Sequence, residues 1–256
     1  MKIAIITGAS SGMGRRFAET CYEYGQLDEI WAIARRSERL EALKNTAPFP
    51  VRPLPMDLTD PASLEKVKAL LAEANPEVAL LINASGFGKF EATMETAPEE
   101  NLNMVDLNCK APLALTQMCL PYMKEGSHVV NIASVAAMQP IPYINIYAAT
   151  KAFVLYFSRA LNQELKSRGI IVTAVCPFWT ATEFFDRAIP KDKEPVVKKY
   201  IAMYDPKDIV ARAWRDVRKD REISMYGFTA RGQSLLVKIL PHRLVMQVWM
   251  KQQGMK

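Results

Sequence analysis

Short apolar runs recur along the chain, with stretches between them long enough to hold a helix each. Ile3-Ala4-Ile5-Ile6, Trp31-Ala32-Ile33-Ala34 and His128-Val129-Val130-Asn131-Ile132 read as buried strands. The full reading places strands near 2–7, 29–34, 51–56, 78–82, 128–133, 170–176 and 222–226, alternating with helical spacing. That alternation predicts an α/β fold built on a parallel sheet of about seven strands. Right-handed crossovers then lay helices on both faces, the doubly wound arrangement. No Gly/Ser/Pro-rich linker or repeat divides the chain, so a single domain is expected, with a main body over 1–222 and an extension over 223–256.

The extension begins with the last strand and continues as two short amphipathic helices. Leu236, Leu240, Leu244, Val248 and Trp249 fall at near-helical intervals, and Pro241 breaks the run. From Ile223 onward there is no Asp or Glu, whereas Arg231, Lys238, Arg243, Lys251 and Lys256 are basic. Three readings stay open: packing against the core or a sister subunit, a lid over a pocket, and a helix on a membrane surface.

Composition narrows the field. A chain of 256 residues can bury one sizeable core. The net charge of +6 permits anionic partners, but basic residues are spread along the chain and nucleic-acid binding is not expected. Cys21, Cys109, Cys119 and Cys176 show no metal-ligand spacing, and a chain of this size needs no disulfides, so no metal site is expected. With no apolar leader region and no run of eighteen apolar residues, neither export nor membrane spanning is expected, and a cytoplasmic setting is the simplest expectation.

Chemistry enters with Tyr147 and Lys151, four residues apart in YAATK and therefore on one helical face. A phenol titrates near 10, and a close ammonium favours the phenolate, so the pair suggests acid/base work. Ser134 follows the strand ending at 133 and is delivered to the edge where open parallel sheets bind ligands. Thr7-Gly8-Ala9-Ser10-Ser11-Gly12-Met13-Gly14 joins the first strand to a helix read over Arg15 to Tyr24. Such a turn lets backbone approach a phosphate and aims a helix N-terminus at it, although its spacing is not G-x-G-x-x-G.

Taken in order, these residues resemble the short-chain dehydrogenase/reductase family, whose pattern is TGxxxGxG, then Asn, Ser and YxxxK. The matching positions are Gly8, Gly12, Gly14, Asn108, Ser134, Tyr147 and Lys151, and the resemblance covers about residues 1 to 182. It implies a Rossmann-type NAD(P)-binding domain and an oxidoreductase that interconverts a carbonyl and an alcohol by hydride transfer. Tyr147 would be the acid, Ser134 would hold the carbonyl oxygen, Lys151 would bind ribose hydroxyls and lower the tyrosine pKa, and Asn108 would hold a water leading to solvent. Ser10, Ser11 and Met13 complete the glycine turn. Asp57 and Leu58 would lie at the adenine, Asn83, Ala84 and Ser85 below the adenosine, and Pro177, Thr180 and Thr182 near the nicotinamide. Ala84, Ser85 and Phe178 depart from the family's NNAG and PGxxxT runs.

Cofactor choice turns on the end of the second strand. Ala34 stands where an acid would select NAD, and Arg35 and Arg36 follow, which suits the 2'-phosphate of NADP(H). Alternatively, Arg35, Arg36 and Arg39 are a solvated helix start paired with Glu38 and Glu41, and Arg15 is either a phosphate ligand or exposed. Phe87, Phe90, Met138, Ile141, Tyr143, Phe178, Trp179, Phe184 and Phe185 would line a pocket for a hydrophobic ketone, fatty-acyl, steroid-like or aromatic, or else pack as core. A homodimer or homotetramer is expected. The competing function is a non-catalytic nucleotide-binding scaffold on the same fold.

Overall fold

The structure, a computed structural model, describes residues 1–190 and 194–255. Seven strands form it: β1 Lys2–Thr7, β2 Glu29–Ala34, β3 Val51–Pro55, β4 Glu77–Asn83, β5 His128–Ile132, β6 Ile171–Val175 and β7 Ile223–Ser224. All pair in parallel in the order β3-β2-β1-β4-β5-β6-β7. The helices are α1 Gly12–Glu19, α2 Ser37–Leu43, α3 Pro61–Ala74, α4 Pro98–Val105, α5 Ala111–Cys119, α6 Asn145–Glu164, α7 Phe184–Ala188, α8 Pro206–Val217, α9 Phe228–Ile239 and α10 His242–Gln253. Local sequence sets several of their starts. Asp60 and Asp205 accept hydrogen bonds from Ala62 N and Lys207 N, each followed by a proline at the first helical position, where a missing N–H does no harm.

Strand residues alternate between two cores, although the runs are apolar throughout. Ile3, Ile5, Trp31, Ile33, Val78, Leu81 and Val129 face α3, α5 and α6 through Leu64, Val67, Leu115 and Leu161. Ala4, Ile6, Ile30, Ala32, Leu80, Ile82 and Val130 face α1, α2 and α8 through Phe17, Leu40 and Trp214. Both faces are therefore dry, as a parallel sheet requires. The doubly wound fold expected from the alternation is present.

Two boundaries differ from the sequence reading. The first helix ends at Glu19 rather than Tyr24 because the Thr20 hydroxyl turns back to Arg16 O (2.7 Å) and also accepts from Trp214 Nε1 (2.8 Å); a single 3₁₀ turn over Cys21–Glu23 follows. Strand β7 shortens to two residues because its pairing with β6 ends at Ser224.

The chain leaves β3 at one edge and re-enters at β4 beside β1, so the strand order reverses between β1 and β4. Crevices at the carboxyl ends of such sheets are where ligands bind. Over the same edge lie α9 and α10, held by Trp249 Nε1 donating to Pro142 O (3.1 Å) and by the buried Gln253 amide bonding Lys198 N, Lys199 N and Lys199 O. Among the described residues no helix is long and apolar enough to cross a membrane.

Candidate functional site

The glycine turn is fixed by contacts that leave no room for a side chain. A Cβ on Gly14 would stand 2.4 Å from Gly8 O, and one on Gly8, at φ +66°, would stand 2.8 Å from Ala84 O. The Thr7 hydroxyl accepts from Ala84 N and Ser85 N, both at 3.0 Å, and ties the turn to the loop after β4. Helix α1 opens at Gly12 with no side-chain cap from Ser11, so its first N–H groups point into the cleft as anion donors.

That cleft has a volume of about 820 Å³ and runs along the carboxyl edge past the reversal point. Gly8, Ser10, Ser11, Gly12, Met13 and Gly14 line one part, Arg35, Arg36, Asp57 and Leu58 another. Ala84, Ser85, Tyr147, Lys151, Pro177 and Thr182 line the rest. A phosphate cradle of backbone donors, two arginines and a carboxylate in one groove of this size fits a dinucleotide.

Asn83 and Thr180 do not line the cleft. Asn83 is buried, and its amide donates to Asn131 Oδ1 (2.8 Å) and Thr116 Oγ1 (3.3 Å), while Asn131 in turn donates to Ser158 Oγ (2.9 Å). It stitches β4, β5, α5 and α6 together beneath the floor of the cleft. Thr180 turns its hydroxyl to Phe178 O (2.9 Å) and faces a second cavity. Asp57 Oδ1 is taken by Thr59 N and Oγ1 (3.0 and 2.8 Å), and Oδ2 lies 3.9 Å from Arg35 Nη1. Partial burial pushes its carboxyl up, but the Thr59 hydrogen bonds and the Arg35 charge outweigh this and leave it lowered.

The arginine cluster has a partner that Glu38 and Glu41 were expected to supply. Arg36 and Arg39 both pair with Glu183, at 2.8 and 2.6 Å, across the mouth of the cleft. Arg36 also donates to Ser10 Oγ (3.1 Å). Arg15 lies outside the cleft, bonded to Glu19. Glu183 was missed because 147 residues separate it from Arg36, although its place next to Thr182 was a signal.

Tyr147 and Lys151 share a face of α6, with Nζ 5.7 Å from the phenol ring centroid. Lys151 donates to Ile132 O (2.7 Å), and burial pulls its pKa down to about 8. Tyr147 moves the opposite way from the sequence expectation. Burial pushes the phenol up to about 12, outweighing a lowering hydrogen bond with Ser134. Ser134 both caps the next turn, accepting from Ala136 N (3.1 Å), and presents its hydroxyl to Tyr147.

Asn108 sits in a π-turn over Asp106–Lys110 between α4 and α5, a local widening common at functional sites. Its side chain is held at both ends: Oδ1 accepts from Phe87 N (3.1 Å), and Nδ2 donates to Phe87 O (2.9 Å) and Thr150 Oγ1 (3.0 Å). The amide therefore clamps the β4 loop to α6, and Oδ1 keeps one lone pair that these contacts do not use. Gly86 makes this approach possible, since a Cβ there would stand 2.9 Å from Asn108 Oδ1 and 3.4 Å from Lys151 Nζ.

A second cavity of about 490 Å³ meets the cleft at Tyr147. Phe90, Ile141, Phe178, Trp179, Phe184 and Phe185 line it, as expected, and α9, α10 and the turn between them close it with Leu236, Leu240, Val245, Val248 and Trp249. Three expected lining residues lie elsewhere. Phe87 faces the cleft beneath the Arg187 guanidinium, Met138 packs against Ala133 and Val154, and Tyr143 is a turn residue at φ +65°.

Comparison with known proteins agrees with this geometry. The chain is 30% identical over 208 residues to the very-long-chain 3-oxoacyl-CoA reductase of Bos taurus, covering 77% of this chain and 65% of the relative's length. It thus spans about two thirds of that relative. It is 32% identical over 218 residues to the NADP-dependent 3-hydroxy acid dehydrogenase YdfG of Salmonella typhi, covering 83% and 87% of the two chains. The solved short-chain dehydrogenase from Sphingobium yanoikuyae in complex with NADPH superposes with a TM-score of 0.78 at 29% identity, over 94% of this chain and 97% of that one. Residues 2–193 match the short chain dehydrogenase family, and with the glycine turn, the reversed strand order and the Ser134, Tyr147 and Lys151 group in place, the chain belongs to that family.

Proposed function

We propose that this chain is an NADP(H)-dependent reductase of hydrophobic ketones. The observation that carries the reading is the position of Tyr147, which lines both the nucleotide cleft and the apolar cavity. NADPH bound in the cleft supplies the hydride, and the negative charge that develops on the carbonyl oxygen needs donors fixed in advance. Tyr147 protonates that oxygen, Ser134 holds it, and Lys151, protonated below a pKa of about 8, keeps a positive charge beside the phenol. Burial keeps Tyr147 in its protonated form at neutral pH, the form that can donate. Asn108 keeps the β4 loop and α6 in register so that the donors stay aimed.

Arg35 and Arg36 at the rim of the cleft support NADP(H), and so does the NADP-dependence named for the Salmonella typhi relative. The aromatic and aliphatic lining supports a fatty-acyl, steroid-like or aromatic ketone, and two relatives are named for 3-oxoacyl and 3-hydroxy acid compounds. Self-association finds support in exposed Leu102 and Val105 on α4 and in Phe153 and Tyr156 on α6, two helices that pack side by side.

Tyr147→Phe tests the reading. NADPH oxidation against a panel of hydrophobic ketones should fall by about 10²- to 10⁴-fold, the usual yield of a positioned acid, while NADPH affinity stays within about twofold. Full reduction by Tyr147→Phe would remove the acid assignment, and NADPH binding without turnover by the parent would favour the scaffold.

A further inference from the structure

Arg36, one of the two arginines that suit a 2'-phosphate, already holds an anion, and Arg39, three residues on, holds the same one. Glu183 follows Thr182 on the loop from β6 to α7 and lines the cleft. Its Oε2 accepts from Arg36 Nη1 (2.8 Å) and its Oε1 from Arg39 Nη1 (2.6 Å). The remaining face of Arg36 points at Ser10 Oγ through Nη2 (3.1 Å) and Nε (3.4 Å), so this guanidinium joins the glycine turn to the far wall. Both guanidinium groups are more than a third exposed and open to exchange.

We propose that Glu183 is a built-in competitor for the 2'-phosphate of NADP(H), occupying Arg36 and Arg39 until that phosphate displaces it, and so sets the margin of preference over NAD(H). This rests on the cofactor assignment made above. A phosphate monoester carries about 1.5 to 2 negative charges near neutral pH against one on the carboxylate, and it takes arginine in a bidentate fashion. The exchange therefore runs toward the phosphate. NAD(H) carries only a neutral hydroxyl at that position, which does not compete for the guanidinium groups and leaves the Glu183 pairs in place. The next residue, Phe184, opens α7 and lines both cavities, with its ring 5.4 Å from that of Tyr147.

Calorimetric titration of the full chain with NADPH and NADH, before and after Glu183→Gln, tests this. Exposed ion pairs of this kind are weak, so Glu183→Gln should bind NADPH only about two- to fivefold more tightly, with NADH affinity unchanged. A merely structural role would move both dinucleotides together, and an unchanged ratio would overturn the proposal. Weaker NADPH binding by Glu183→Gln would also overturn it, since the carboxylate would then be clasping the bound cofactor. Glu183→Ala, which removes the reach as well as the charge, should give the same change in ratio. Failure of the parent to bind either dinucleotide would remove the cofactor assignment itself, whereas binding with an unaltered ratio would remove this role of Glu183 alone.

Discussion

Lys151 shows at residue scale how function strains the fold. Its ammonium lies inside the protein with one carbonyl as hydrogen-bond partner, and burial lowers its pKa from 10.5 to about 8. Between those values the unfolded chain binds more protons than the folded one, so stability climbs as pH rises from about 8 toward 10.5. Lys151→Met should therefore be more stable than the parent at pH 7, by about 2 kcal/mol after allowing for the lost hydrogen bond, while losing turnover. Thermal unfolding at pH 7 and 9.5 checks this: the gap should narrow at the higher pH, and a constant gap would contradict the assignment. The motif around Lys151 was legible because helical spacing alone puts it beside Tyr147. The direction of the tyrosine shift was not, since burial depends on Phe90 and Phe184, which arrive from distant segments to pack on the ring. Asn83 was misread for a related reason: its partners Thr116 and Asn131 come from α5 and β5, and no local pattern marks them.

At the scale of elements, strands were easier to read than the joints between them. A strand buried on both faces announces itself as an apolar run, so β1 to β6 fall within a residue or two of their expected positions. Joints depend on single contacts, such as the Thr20 hydroxyl that ends α1 or the π-turn that aims Asn108. Nothing in Asp106–Lys110 distinguishes that turn from ordinary helix before Phe87 and Thr150 are placed opposite it. Asn108→Ala should leave the Phe87 amide and carbonyl and the Thr150 hydroxyl without their partner, costing about 2–4 kcal/mol in urea unfolding along with most of the turnover. A loss of turnover with unchanged stability would mean that Asn108 acts on the proton path rather than as a clamp.

On the scale of the whole molecule, the C-terminal helices close the apolar cavity on the side away from the glycine turn. Of the three expected roles, their contacts favour the lid. Trp249 reaches Pro142 O and forms part of the cavity wall, so Trp249→Ala should raise KM for a bulky ketone about tenfold and leave NADPH affinity unchanged. Equal effects on both ligands would place Trp249 in general packing. This closure was legible only as one alternative, because the same amphipathic pattern serves a subunit contact or a membrane surface equally well.

Leu236, Val248 and Ile201 border the apolar cavity and are also 58, 56 and 61% exposed to solvent. Along that stretch the partition between chamber and water is one side chain thick. Exposed side chains swing between rotamers in picoseconds to nanoseconds, whereas lifting a helix takes microseconds or longer. Under the reductase reading, a hydrophobic ligand thus has a way past these side chains that requires no lifting of α9 or α10.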